Sequence, residues 1–172
     1  MKQKAFTLFE ILLTVGIIGI IATTLIRVLP NVMPDVNKAK FLRAYTTTKI
    51  VVNDIINAIA LYPEEDPNDP NYGLKNKEKP EYGIYAEDKY TGDDKFPLIF
   101  ADMLSLEGEN GEFYSMRDNL TYLIKPAAND GYTITFKNGE VFLGGVKVAY
   151  DGKTQCFSEK GYCTDMTDLR RK

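Results

Sequence analysis

Apolar residues are concentrated near the start of the chain. The 22 positions from Ala5 to Ile26 contain one charged residue, Glu10. A helix of that length extends about 33 Å at 1.5 Å per residue, and the hydrocarbon core of a bilayer is about 30 Å thick. The pattern therefore predicts a transmembrane helix. Because Lys2 and Lys4 precede the run, the positive-inside rule predicts a cytoplasmic N-terminus and an extracytoplasmic remainder.

A second helical pattern follows this apolar run. Six residues recur at alternating spacings of four and three, which predicts an amphipathic helix: Phe41, Tyr45, Thr48, Val52, Ile55 and Ile59. Pro63 is expected to close this helix, and Pro30 and Pro34 to interrupt or kink its junction with the first. We therefore expect one long, discontinuous helix, with residues 6–29 as its transmembrane or filament-core half and residues 30–62 as its amphipathic half.

The remaining residues, 63–172, predict a globular head. Residues 63–95 are rich in Pro, Asn, Asp and Gly, which is typical of a loop. A short helix is predicted over Phe96–Leu106, and Asn138-Gly139 favours a tight hairpin turn. Strand patterns occupy four segments: Leu120–Ile124, Tyr132–Phe136, Glu140–Leu143 and Val146–Tyr150. The predicted fold is α+β, with the long N-terminal helix packed on an antiparallel sheet of three or four strands.

Composition restricts the possible functions. The net charge is −3 and no broad basic patch occurs, so no nucleic-acid partner is predicted. The chain has no histidine, which removes the commonest general base and argues against a Ser-His-Asp hydrolase. We therefore expect a protein that is not an enzyme and has no cofactor.

Two groups of acidic residues are the remaining candidates for metal binding. They lie in predicted loops: Glu64, Glu65, Asp66 and Asp69 in the first group, and Glu87, Asp88, Asp93 and Asp94 in the second. Neither group has the regular spacing of an EF-hand loop, so solvated surface charge is the interpretation and loop-bound calcium the alternative.

The two cysteines lie close together near the C-terminus. Cys156 and Cys163 enclose six residues, a spacing that fits neither a CxxC redox motif nor a zinc motif. In an exported chain a structural disulfide is the prediction, and two free thiols are the alternative.

The first ten residues form a specific motif. A short basic leader, Met1-Lys2-Gln3-Lys4-Ala5, precedes Phe6-Thr7-Leu8-Phe9-Glu10. A carboxylate within an apolar run is costly unless something pairs with it. The first 25 or so residues resemble the type IV prepilin family, which includes the type II secretion pseudopilins. Ala5 stands where that family usually has Gly, and Arg27 where many members have Pro.

This resemblance implies a pathway as well as a fold. A prepilin peptidase would remove leader residues 1–5 by cleaving between Ala5 and Phe6, and would N-methylate Phe6. Glu10 would then be the assembly carboxylate and pair with the terminal amine of a neighbouring subunit. The implied partners are copies of this chain, other pilins, membrane lipid before assembly and an ATP-driven inner-membrane assembly machine. The implied location is the inner membrane, followed by a pilus or a periplasmic pseudopilus.

Small residues recur within the apolar run. Gly16, Gly19 and Thr23 are expected near one helix face, where they would allow close helix packing; the alternative is that Gly is simply common in membrane spans. The resulting prediction is a structural subunit of a pilus-like or pseudopilus filament. The alternative is a single-span, signal-anchored protein whose periplasmic head binds a ligand or acts as an enzyme through residues 63–95.

Overall fold

The computed structural model describes residues 8–32 and 35–164, and in the first of these ranges it describes the side chains of residues 8–21 and 23. The chain divides into two compact units, Met1–Asp35 and Val36–Lys172. The first unit contains helix α1 (Leu8–Val32), and the second is an α+β head.

Two further α-helices belong to the head. Helix α2 spans Val36–Ile56 and helix α3 spans Lys95–Met103, and short 3₁₀ turns lie at Gly73–Lys75 and Gly92–Asp94. Beyond Ile56 the backbone tightens into turns, in which the amides of residues 61 and 62 both donate to the carbonyl oxygen of residue 58. The helix predicted to continue to residue 62 therefore ends six residues earlier.

Six antiparallel strands form one open sheet in sequence order. They are β1 (Glu107–Glu109), β2 (Glu112–Ser115), β3 (Leu120–Pro126), β4 (Tyr132–Asn138), β5 (Val141–Val148) and β6 (Thr154–Phe157). The predicted Asn138-Gly139 turn joins β4 to β5, with Asn138 paired to Val141. A β-bulge lies between Phe136 and Lys137.

The core of the head lies between helix α2 and one face of this sheet. Alternate residues of β3 and β4 are buried, as expected of strands with one covered face. Phe41 of α2 is fully buried and meets Phe136 edge-on, with 5.8 Å between ring centroids. Phe136 in turn packs against Tyr122, at 5.2 Å. The amphipathic stripe predicted in α2 is thus largely confirmed, although its last member, Ile59, lies beyond the helix and is 64% exposed.

The predicted fold class needs correction. We expected one long helix over a sheet of three or four strands, but the structure has separate helices α1 and α2 and six strands. The segments predicted as two strands around Gly144 and Gly145 form the single strand β5. Strands β1, β2 and β6 were not predicted.

The predicted membrane span and inner-membrane location also need correction. In the described ranges, 8–32 and 35–164, no helix combines the length and apolar character needed to cross a membrane. Within α1, Glu10 and Arg27 limit the uncharged stretch to the 16 residues between them. A membrane span requires about 20 consecutive apolar residues.

Candidate functional site

The residues predicted to direct assembly fall partly within helix α1. Glu10 lies in the first turn of this helix and is exposed. Gly16 and Gly19 have open space where a Cβ would stand. Thr23 is exposed, and its hydroxyl donates a hydrogen bond to the carbonyl oxygen of Ile20, at 2.9 Å. The predicted cleavage and methylation residues, Ala5 and Phe6, lie outside the described residues.

Helical geometry places these assembly residues on two different faces. At about 100° per residue, Gly16, Gly19 and Thr23 fall within about 60° of one another. Glu10 lies about 120° from Gly16 by the same rule. A neighbouring helix that packs along the small-residue face therefore does not cover Glu10. The small face and Glu10 suit contacts with different neighbouring helices.

Large apolar side chains cover much of the described surface of α1. Ten of them are at least 49% exposed: Leu8, Phe9, Ile11, Leu12, Leu13, Val15, Ile17, Ile18, Ile20 and Ile21. Large exposed apolar patches mark protein–protein or membrane interaction sites, ligand-binding grooves or aggregation-prone surfaces.

The C-terminal prediction is confirmed. Cys156 of β6 and Cys163 form a disulfide, with 5.9 Å between their Cα atoms. The side chain of Ser158, inside the enclosed loop, donates to the carbonyl oxygen of Leu143, at 2.7 Å. Tyr162 is buried and its ring lies 5.4 Å from that of Phe41. The disulfide thus fixes a loop that covers one end of the core.

The acidic loop residues pair locally. Asp93 forms an ion pair with Lys77 at 3.1 Å, and Asp88 pairs with Lys79. In the first group, Asp66 accepts the backbone N–H of residue 68 in a turn. Across the described part of the chain, no three Cys, Asp or Glu side chains come close enough together to hold a metal ion. The described acidic residues therefore do not form a cluster of ligands for the calcium ion considered as the alternative.

A cleft in the head contains a group that sequence analysis missed. It has a volume of about 430 Å³, and its walls include Ile59, Leu61, Pro63, Pro80 and Tyr82. Lys95, the first residue of α3, lines the same cleft although its side chain is only 1% exposed. A buried lysine therefore lines an otherwise largely apolar cleft.

The amine of Lys95 has two described contacts. It donates to Oδ1 of Asn76 at 3.2 Å and lies 4.2 Å from the centre of the Tyr62 ring. Burial lowers its pKa to about 8, partly opposed by the charge of Glu78 and reinforced by that of Lys77. One acceptor and one ring face replace only part of the hydration that an ammonium group has in water.

Helical spacing could have identified Lys95. Ile99 and Lys95 are four residues apart and so share one face of a helix. Ile99 is fully buried, and the α3 pattern places Lys95 beside it on the core side. The sequence signal was a lysine that begins an apolar helix on its buried face.

Comparisons of the chain with family models, with curated proteins and with solved structures find no match.

Proposed function

We propose that this chain is a structural subunit of a type IV pilus-like or pseudopilus filament that polymerises through helix α1. The observation that carries the proposal is the exposed apolar surface of that helix. The head does not need this helix to complete its described core, because the core residues all lie at Phe41 or beyond. In the proposed filament, contacts between copies cover the exposed apolar side chains of α1.

The area involved is large enough to drive assembly. Fully burying one Leu, Ile or Phe side chain contributes about 1.5–3 kcal/mol, and the ten side chains on α1 are roughly half to three-quarters exposed. Covering them would contribute on the order of 10 kcal/mol per copy. This is comparable with the estimated cost of association, about 4–15 kcal/mol, so each helix requires contacts with several neighbours. A filament in which each subunit touches several others supplies such contacts.

The occupant of this surface is inferred to be another copy of α1. The small face of Gly16, Gly19 and Thr23 permits close approach of a neighbouring helix. The motif from Phe6 to Glu10 supports the same conclusion through its resemblance to prepilins. In this proposal a prepilin peptidase removes residues 1–5, and Glu10 pairs with the new terminal amine of a neighbouring copy. Such a pairing would set the axial register of the helices.

The proposal is tested by expressing the chain with a prepilin peptidase and an assembly system. We expect a mature N-terminus at Phe6, measured by intact mass, and recovery of the chain in sheared filaments. Glu10→Ala should reduce incorporation at least tenfold without lowering the amount of folded protein, because the register-setting carboxylate is lost.

Asp54→Ala provides the matched control, since Asp54 is an exposed carboxylate on α2. It should enter filaments as the parent chain does. Equal incorporation of the Glu10→Ala and parent chains would refute the pairing mechanism. A chain that retains Met1 in the presence of active peptidase would refute the processing step.

A further inference from the structure

The cleft beside α3 combines apolar walls with a poorly solvated amine. Its volume of about 430 Å³ is sufficient for a small organic molecule. The exposed ring of Tyr82 and the side chain of Ile59 contribute to its walls, and Lys95 is the buried polar group within it. All of the residues that line this cleft belong to the head.

The charges around the amine favour a neutral ligand. Glu78 and Glu81 line the cleft together with Lys79, and Lys77 also acts electrostatically on Lys95. The two carboxylates disfavour an anionic ligand near Lys95, and among the described residues none forms an ion pair with it. A neutral electrophile with an apolar body matches this environment better than a carboxylate or phosphate.

We propose that the Lys95 amine captures small apolar aldehydes that enter this cleft, holding them as imines. The lone pair of Nζ attacks the carbonyl carbon and forms a carbinolamine. Loss of water then forms the C=N bond, and the carbonyl oxygen leaves with the two amine hydrogens. No oxidant or reductant is required, and hydrolysis reverses the reaction.

Burial makes this amine unusually available as a nucleophile. With a pKa of about 8, roughly a quarter of the Lys95 amine is neutral at pH 7.5. An ordinary lysine with a pKa near 10.4 is about 0.1% neutral at that pH, which is about 200-fold less. Lower basicity reduces the intrinsic nucleophilicity of the neutral amine, so we expect a net advantage of at least tenfold.

The test is competitive labelling of the full-length chain with hexanal, trapped by cyanoborohydride and located by peptide mass mapping. Lys79 is the internal control, because it lines the same cleft but its side chain is 49% exposed and paired with Asp88. At pH 7.5 Lys95 should label at least tenfold faster than Lys79. The advantage of Lys95 should shrink as the pH rises well above 8, because its own amine is then already almost fully neutral.

A second variant tests whether the reaction uses the cleft. Ala60→Trp adds a large ring at an exposed position of the cleft wall, so it should slow labelling of Lys95 without affecting Lys89. Circular dichroism confirms that the variant is folded. Labelling of Lys95 no faster than of Lys79 in the parent chain would overturn the proposal, and so would an Ala60→Trp variant that labels Lys95 at the parent rate.

Discussion

Replacing Lys95 with Met removes a buried ammonium group while keeping a long, unbranched side chain. The pKa of Lys95 falls from 10.5 to about 8 on folding, mainly because burial disfavours the charged form. At about 1.36 kcal/mol for each pH unit, this difference corresponds to about 3 kcal/mol of destabilisation when the amine is charged in both states.

The pH dependence of this cost has a definite sign. Well below pH 8 the lysine is protonated in the folded and unfolded chains, and the full cost applies. Between pH 8 and pH 10.5 the unfolded chain binds more protons than the folded one, so stability rises with pH. Well above pH 10.5 the amine is neutral in both states and the cost disappears.

The measurement is urea unfolding of the parent chain and of Lys95→Met, followed by far-ultraviolet circular dichroism from pH 7 to pH 10.5. Subtracting the two unfolding free energies removes the titration of groups that both chains share. At pH 7 we expect the Met variant to be more stable by about 1–2 kcal/mol, since the lost bond to Asn76 and ring contact with Tyr62 offset part of the gain.

The difference between the two chains should then change by about 3 kcal/mol as the pH rises to 10.5, in favour of the parent. Lys79→Met is the matched control for loss of a lysine from the cleft, because the Lys79 side chain lines the same cleft but is 49% exposed. If the difference in unfolding free energy between Lys95→Met and the parent stays constant within about 0.5 kcal/mol over this range, burial does not destabilise the charged amine of Lys95 as proposed.

Three further predictions concern the stability of the head. Phe41→Ala should lower the unfolding free energy by about 3–5 kcal/mol in urea titrations, because it empties a fully buried ring position; a loss below about 1 kcal/mol would contradict this packing. Reducing the Cys156–Cys163 disulfide should lower the unfolding free energy by about 2 kcal/mol, which a lower thermal midpoint in dithiothreitol would report. An unchanged midpoint would show that the loop needs no cross-link. Gly144→Ala should lower the unfolding free energy by more than about 2 kcal/mol, because Gly144 has a φ of +130° and an added Cβ would lie 2.4 Å from the carbonyl oxygen of Phe157. A variant as stable as the parent would show that residue 144 tolerates a side chain without such strain.

The sequence predicted the central strands because their side chains alternate clearly. β3 and β4 have buried residues at every second position, and the Asn138-Gly139 pair favours the turn that follows. The edge strand β1 was missed because its residues, Glu107–Glu109, are all exposed and have no apolar alternation. Asn110-Gly111, the turn that joins β1 to β2, was the available signal.

Two glycines explain the error in β5. Gly144 and Gly145 interrupt an apolar pattern, so the sequence predicted two strands. In the structure both remain in β5, and a Cβ at Gly145 would lie 2.1 Å from the carbonyl oxygen of Ile134. Glycine here accommodates close neighbours within the sheet and does not end the strand.

Some candidate site residues could be found from local sequence, and others depend on the tertiary fold. The disulfide was predicted, and Glu10 became a candidate, because each pattern consists of residues that are close together in sequence. The Lys95 cleft was not identified because its contacts, Asn76 and Tyr62, come from loops 19 and 33 positions earlier in the chain. Residue spacing alone does not specify how such loops fold over a helix end.

The cost of Lys95 connects stability with the proposed chemistry. A small domain is typically stable by about 5–15 kcal/mol, so a single side chain that costs about 3 kcal/mol uses a large part of that margin. The same desolvation that lowers stability increases the fraction of neutral amine. Lys95→Met should therefore gain stability at pH 7 and lose aldehyde capture together. If the pH-dependent cost is present but Lys95 does not label preferentially, the amine is buried without being accessible through the cleft, and its role is confined to the packing of the head.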